Sequence, residues 1–365
     1  MRIRTLLATT AAAVMMTAGA HAQTVGVTDT SIKIGNTNPY SGPASVYSVI
    51  GKTISAYFKA VNAAGGVTSA DGKTRTVDFI SLDDGYSPPR TVEQVRKLVE
   101  QEKVAFLFQT LGTPTNSAIH RYVNAKKVPH VFVATGASKW GQPKKYPWTI
   151  GFQPTYDVEG EIYAKYALSN VENPKIAILF QNDDYGKDYR DGFLRGLGDK
   201  ADDLVVKMLP YEVTDPTVDA QVLELAASGA NVFFNITIPK FAAQAIKKSH
   251  EIGWKPLHLL NNVSSSVGAT LRPAGLEASK GLITTQWMRD PTDPQWVETD
   301  GFKEWAAFMD ANLPDGDKGD INYGYGYNVS KLLHHVLENC GDLSRPGIMA
   351  LSLIHISEPT RPNCI

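Results

Sequence analysis

Residues 104–140 read VAFLFQTLGTPTNSAIHRYVNAKKVPHVFVATGASKW, and their pattern decides the fold. Residues 104–108 form a continuous apolar run, which suits a strand buried on both faces. Leu111-Gly112-Thr113-Pro114-Thr115-Asn116 breaks that run and opens a helix, with Pro114 suited to the first helical position and Thr113 to the cap. A second apolar run, residues 128–133, ends in Ala134-Thr135-Gly136-Ala137-Ser138. Two adjacent strands thus each finish in a small, hydroxyl-rich loop. In an open α/β sheet, ligands sit outside the carboxyl ends of the strands. Gly, Thr and Ser there expose backbone N–H groups and hydroxyls, which suit a carboxylate or another small anion. Small residues also make tight βα turns without any ligand. The matched pair of loops favours binding.

The rest of the chain repeats the alternation. Ser31-Ile32-Lys33-Ile34-Gly35 is a first strand, and a helix to about Ala64 keeps Val46, Ile50, Ile54, Tyr57, Phe58 and Val61 on one face. Gly65-Gly66 stops it. A turn at Asp71-Gly72 leads into Val77-Asp78-Phe79-Ile80-Ser81-Leu82, which Asp83-Asp84-Gly85 ends, and Pro88-Pro89 opens the next helix. Strands alternating with helices mean a parallel, doubly wound sheet. Trp148-Thr149-Ile150-Gly151-Phe152-Gln153-Pro154 reads as an extended crossing, after which a second series of strands begins at residues 175–180, 205–209, 231–236 and 257–260. Residues 282–286 are extended again and suit a crossing back. The halves echo each other in Leu82-Asp83-Asp84-Gly85-Tyr86 and Gln181-Asn182-Asp183-Asp184-Tyr185. Two similar doubly wound α/β lobes with a cleft between them are the simplest architecture, with one lobe over residues 24–150 plus 283–350 and the other over 151–282.

Composition narrows the function. The chain has 365 residues, 43% hydrophobic and 20% charged, with a formal net charge of −1, values of an ordinary globular protein with room for two cores. It contains no basic block and no interleaving of basic and aromatic residues, so nucleic acid is not an expected partner. Arg2 and Arg4, an apolar stretch from Leu6 to Ala20 and the Ala20-His21-Ala22 site mark residues 1–22 as a secretory signal peptide cleaved after Ala22. Its removal takes two positive charges and brings the net charge from −1 to −3. The expected location is the periplasm. Cys340 and Cys364 are too few and too close to one end for a disulfide framework. Residues 351–361, LSLIHISEPTR, resemble a translated sequencing-library adapter, so residues 351–365 are expected to be non-native and the native C-terminal part to be missing.

No P-loop, HExxH, nucleophile elbow or Cys/His metal spacing occurs. Residues 315–320 look calcium-like, but Gly319 and Asp320 swap the residues that an EF-hand loop requires. No catalytic residue, metal or cofactor is expected, and the chain is not expected to be an enzyme.

From residue 24 to about 350 the chain resembles the periplasmic solute-binding proteins of the branched-chain amino acid (Leu/Ile/Val-binding) ABC transporter family. The resemblance rests on the signal peptide, Ile32-Lys33-Ile34-Gly35, Tyr40-Ser41-Gly42-Pro43, Asn62-Ala63-Ala64-Gly65-Gly66-Val67, Asp83-Asp84 and Asp184-Tyr185-Gly186, in that order. It implies the type I arrangement of two lobes on a hinge of several strands, closing on a ligand. It also implies a small-molecule ligand, an amino acid or related carboxylate, and the membrane permease of an ABC importer as partner. The protein would act as a monomer. The family's carboxylate-holding loops fall on Leu111, Gly112 and Thr113 and on Ala134, Thr135 and Gly136. Tyr47 matches an aromatic cleft residue, and Tyr185 the residue that covers the ligand from the second lobe. Thr237 and Tyr325 are further matches. Where amino-acid binders carry an acid that pairs with the ligand's ammonium, this chain has Asn262. A neutral amide cannot supply that charge-assisted bond. Either Asp183 or Asp184 replaces the acid, or the ligand lacks the amine, its aromatic or aliphatic body resting on Tyr47, Tyr185 and Trp140. A sensory module for a membrane receptor and an exported enzyme are the alternatives.

Overall fold

The structure is a computed structural model that describes residues 24–357. The signal peptide expected at residues 1–22 lies outside the described residues. The first sheet contains β1 (Ser31–Asn38), β2 (Val67–Thr68), β3 (Thr74–Asp83), β4 (Phe106–Phe108), β5 (His130–Val133) and β6 (Thr149–Gly151), in the order β2-β3-β1-β4-β5-β6. The short β2 pairs antiparallel with β3, and the other pairings are parallel. The second sheet contains β7 (Ile176–Gln181), β8 (Val205–Tyr211), β9 (Val232–Ile236) and β10 (Leu257–Leu260), all parallel, in the order β10-β9-β7-β8. In each sheet the opening strand is central, the next parallel strand (β3 or β8) pairs on one side, and later strands step away on the other. Each lobe is therefore doubly wound in the same sense.

The helices are α1 (Ser48–Ala63), α2 (Pro88–Arg96), α3 (Thr113–Ala125), α4 (Tyr156–Asn170), α5 (Asp184–Leu197), α6 (Ala201–Leu204), α7 (Asp219–Ala227), α8 (Pro239–Glu251), α9 (Arg272–Ala274), α10 (Asp300–Asn312), α11 (Ile321–Asn339) and α12 (Arg345–Ser357). α11 packs along α1 and α12 against α11, so the chain returns to the first lobe. Gly151 still pairs with Val133 of the first sheet, and Ile283 still bridges to Leu259 of the second.

The apolar runs behave as their composition dictates. Every residue of β4, β5, β7 and β9 is buried, as a parallel sheet covered on both faces requires. The Asn62-Ala63-Ala64-Gly65-Gly66 turn has two functions. The Asn62 side chain bonds both the N–H and the C=O of Val77, tying the end of α1 to β3. Gly66 has φ +99°, and a Cβ there would meet Arg75 O at 2.5 Å, so only glycine fits.

The helix start at residues 111–116 differs from expectation. Gly112, at φ +99°, is the residue before α3, and Thr113 and Pro114 are both inside it. The Thr113 hydroxyl pairs with Thr135 Oγ1 at 2.5 Å, across to the next loop, instead of capping its own helix. The strands expected at residues 104–108 and 128–133 are shorter, because pairing begins only at Phe106 and His130. At the far end, the Arg345 guanidinium donates to Val104 O and Ala105 O, holding α12 beneath the first sheet. That helix runs on through residues 351–357; the rest of the tail expected to be non-native, residues 358–365, lies outside the described residues.

Candidate functional site

The carboxyl ends of the two sheets face each other across a cleft of about 690 Å³, counted to its open mouth. Its walls come from both lobes and from the strands between them. The first lobe supplies Tyr47 and Ile50 at the start of α1, Tyr86 after β3, Leu111-Gly112-Thr113 after β4 and Ala134 after β5. The second supplies Tyr185 after β7, Ile238 after β9 and Asn262, Val263 and Ser266 after β10. The crossings add Gln153 and Gln286-Trp287-Met288, and the start of α11 adds Ile321, Asn322 and Tyr325.

The lobes are closed on each other. Tyr47 Oη donates to Val263 O at 2.9 Å. The Ser138 N–H and hydroxyl donate to the Asp188 carboxylate at 2.8 and 2.6 Å. Lys139 Nζ lies 2.6 Å from Asp184 Oδ2, which also accepts from Ser117 Oγ. Ser266 Oγ donates to Asp320 Oδ1 at 2.9 Å, and Arg272 pairs with Asp317. One apolar cluster runs from Ile34 and Phe108 of the first sheet to Ile178 and Phe234 of the second.

The expected residues divide cleanly. Tyr47, Leu111, Gly112, Thr113, Ala134, Tyr185, Asn262 and Tyr325 line the cleft. Thr135, Gly136 and Thr237 do not. Thr135 is turned behind its loop, where it bonds Thr113 and accepts from Ala137 N–H, and it lines a second hollow beside Trp140 and Ile150. Gly136 is covered by Pro154 and Tyr156. The Thr237 hydroxyl donates to Asn235 Oδ1, and its carbonyl accepts from Asn261 and Ser264. Trp140 likewise belongs to the second hollow, and the indole at the cleft is Trp287.

Asp183 and Asp184 do not replace the acid that Asn262 displaces, since neither lines the cleft. Asp183 Oδ1 accepts from Tyr185 N and Gly186 N, capping α5, and burial raises its pKa. Asp184 faces Lys139, whose hydrogen bond and charge lower its pKa. Glu159 lies behind Asn262: one oxygen accepts from Asn262 N at 2.8 Å and the other from Tyr189 Oη at 2.6 Å, while burial raises its pKa. The Asn262 amide is itself engaged, its Nδ2 donating to Thr285 O and Gln286 Oε1 and its Oδ1 accepting from Trp287 Nε1. The result is a wall of aromatic rings and neutral polar groups. Phe152, Trp287 and Tyr325 meet edge to face at 5.6 to 6.0 Å between centroids. Burial pushes the phenols of Tyr47, Tyr86, Tyr156, Tyr185 and Tyr325 above their ordinary range, so all five are neutral hydroxyls at physiological pH.

Reading the sequence missed Tyr86, Gln153, Tyr156 and Trp287. The first two had a signal: Tyr86 ends the loop that echoes Tyr185, and Gln153 lies on the segment read as a crossing. Among the described residues no group of three or more His, Cys, Asp or Glu could hold a metal ion.

The profile of the family described as "Periplasmic binding protein" matches residues 31–352. Among solved structures, a substrate-binding periplasmic protein from Ralstonia solanacearum is similar at 23% identity, with 88% of each chain covered and a TM-score of 0.77. A branched-chain amino acid ABC transporter protein from Thermus thermophilus with bound valine is similar at 14% identity, covering 90% of this chain and 84% of that one, TM-score 0.77. A fatty acid ABC transporter substrate-binding protein from Thermomonospora curvata is similar at 24%, covering 90% and 82%, TM-score 0.72. No curated protein matches the chain. With 322 of its 365 residues matched by the family profile, the chain belongs to the periplasmic binding protein family.

Proposed function

We propose that the protein is the receptor of an ABC importer, capturing a small carboxylate with a branched or aromatic body between its lobes in the periplasm and delivering it to a membrane permease. The observation that carries this reading is the cleft itself: it is walled by both lobes and by the strands between them, so a ligand there contacts both halves only when they are closed. Closure is then readable by the permease as a change of shape, because the outward faces of the two lobes come into one fixed arrangement. The loop donors at Leu111-Gly112-Thr113 and at the start of α3 suit the carboxylate. The rings of Tyr47, Tyr86, Tyr185, Trp287 and Tyr325 suit the body. The similar proteins that carry valine or fatty acids are consistent with a carboxylate cargo.

The test is a thermal-shift panel on the mature chain, residues 23–365, followed by small-angle X-ray scattering with any hit. A ligand at about a hundred times its dissociation constant adds about 2.7 kcal/mol of stability. The expected result is a raised melting temperature together with a smaller radius of gyration. A panel of small carboxylates that binds without changing the scattering, or that does not bind to folded protein, would count against the receptor reading.

A further inference from the structure

Resting on that receptor reading, we propose that the cleft selects a monocarboxylate that lacks an amine, an aromatic or branched aliphatic acid, and rejects the corresponding amino acid. The residues around the cleft leave a donor open for a carboxylate and no negative charge to pair with an ammonium.

Thr135 Oγ1 accepts from Ala137 N–H at 3.3 Å and, more weakly, from Trp140 Nε1 at 3.5 Å. Its own proton has two acceptors in reach, Thr113 Oγ1 at 2.5 Å and the Tyr156 hydroxyl, and the short contact favours Thr113. The Thr113 proton is then free, on a residue that lines the cleft. The same residue opens α3, whose first N–H groups have no side-chain cap. A hydroxyl donor and an uncapped helix start on one wall suit a carboxylate.

The opposite wall has the reverse character. An ammonium carries three donors and no acceptor. Among the described residues no Asp or Glu lines the cleft. The four acids around it are turned into the protein and engaged: Glu159 with Asn262 N and Tyr189, Asp84 with Tyr86 N and Thr91, Asp183 with Tyr185 N and Gly186 N, Asp320 with Ser266 and Asn322. The amides of Asn262 and Gln286 bond each other and the crossing strand, with Gln286 Oε1 also accepting from Trp287 N and Met288 N. A buried ammonium would give up its water and find aromatic faces and neutral amides in place of a negative charge. The amine-free analogue gives up only the water of its carboxylate, which the Thr113 hydroxyl and the start of α3 replace.

Calorimetry on the mature chain would compare leucine with 4-methylpentanoate and phenylalanine with 3-phenylpropanoate. Each acid is expected to bind at least roughly tenfold more tightly than its amino acid. Equal or tighter binding of the amino acids would overturn the proposal while leaving the receptor reading intact. Closure by ligands of neither kind would also overturn it, and failure of every small carboxylate to close the lobes would remove the receptor reading as well. Gln286→Glu keeps an acceptor toward Asn262, Trp287 and Met288 and adds a negative charge at the cleft. It is expected to shift the preference toward the amino acid at least roughly tenfold, and an unchanged ratio in folded variant protein would count against the proposal. Thr113→Val is expected to weaken acid and amino acid alike, since both share the carboxylate. An effect on neither would remove that end of the argument.

Discussion

Two loops of the molecule spell nearly the same thing and sit in different places. Asp83-Asp84-Gly85-Tyr86 begins on the last residue of β3, the strand beside the centre of the first sheet, whereas Asp183-Asp184-Tyr185 follows β7, the central strand of the second. The likeness is local, not a relic of equivalent positions in two like lobes. In both loops an aspartate, buried at Asp84 and half-buried at Asp183, accepts the N–H of the tyrosine at 2.9 Å and turns its ring to the cleft. The differences lie in how the turn is held. Asp183 also caps α5, so Tyr185 begins a helix in ordinary geometry. Asp84 bonds Thr91 instead, and Tyr86 sits at φ +60°, with α2 starting only at Pro88. One device has been built with a helix behind it and once with strain.

Removing the two rings is the largest test of that contrast. Tyr185 packs against Tyr156 and Tyr189 at 5.4 and 5.6 Å, and its hydroxyl donates to Asn261 Oδ1 at 3.0 Å. Tyr185→Ala should cost about 3–5 kcal/mol in urea unfolding, as for other large aromatic truncations. Tyr86→Gly should cost less by about 1 kcal/mol or more, because glycine relieves the left-handed backbone. Equal losses would mean that the positive φ stores nothing.

The buried acids come next, through pH. Burial raises Asp84 from its ordinary 3.8 to about 6. The folded state therefore holds the proton more tightly than the unfolded one. The stability this gives is complete below about pH 4 and is lost as pH rises through about 6, at up to about 1.4 kcal/mol for each pH unit crossed. Asp84→Asn should flatten that slope in denaturant titrations from pH 4 to 7, its amide finding an acceptor in the Thr91 hydroxyl, which already donates to Ser87 O. An unchanged slope would show that Asp84 titrates normally. Asp183→Ala removes a cap and should cost about 1–2 kcal/mol, and because burial also raises the Asp183 pKa the loss should be larger at the acid end of the titration.

The contrast also explains what was legible in the sequence. The apolar runs at residues 104–108 and 128–133, the glycine turns and the alternation of strand and helix all express local rules, and the fold followed from them. The loops at Leu111-Gly112-Thr113 and Ala134 could be placed at the cleft because strand ends in parallel sheets have a fixed address. Thr135 and Gly136 belong to the same loop, yet face away, since a turn splits neighbouring side chains between two sides. Tyr156 and Trp287 reach the cleft from the first turn of a helix and from the irregular crossing segment, and their direction depends on how the lobes meet. The engagement of Asn262 by Trp287 depends on residues 25 apart in the chain, which no local pattern encodes.

The outer acids of the two loops give the smallest and most selective test. Asp83 stays within its lobe, accepting from Tyr40 N, Ser41 and Arg90. Asp184 reaches across the cleft mouth to Lys139 and Ser117. Both partners of the Asp184–Lys139 pair are partly solvated, so the pair is worth about 1 kcal/mol or less. It acts only in the closed form, whereas Asp83 acts whether the lobes are open or closed. Lys139→Gln should therefore weaken ligand binding by up to about fivefold at low salt and have little effect at about 1 M salt, where screening is nearly complete. Arg90→Gln should leave affinity unchanged at either salt concentration and register only in unfolding. A salt-dependent affinity loss in both variants would mean that the first loop, too, moves when the lobes close.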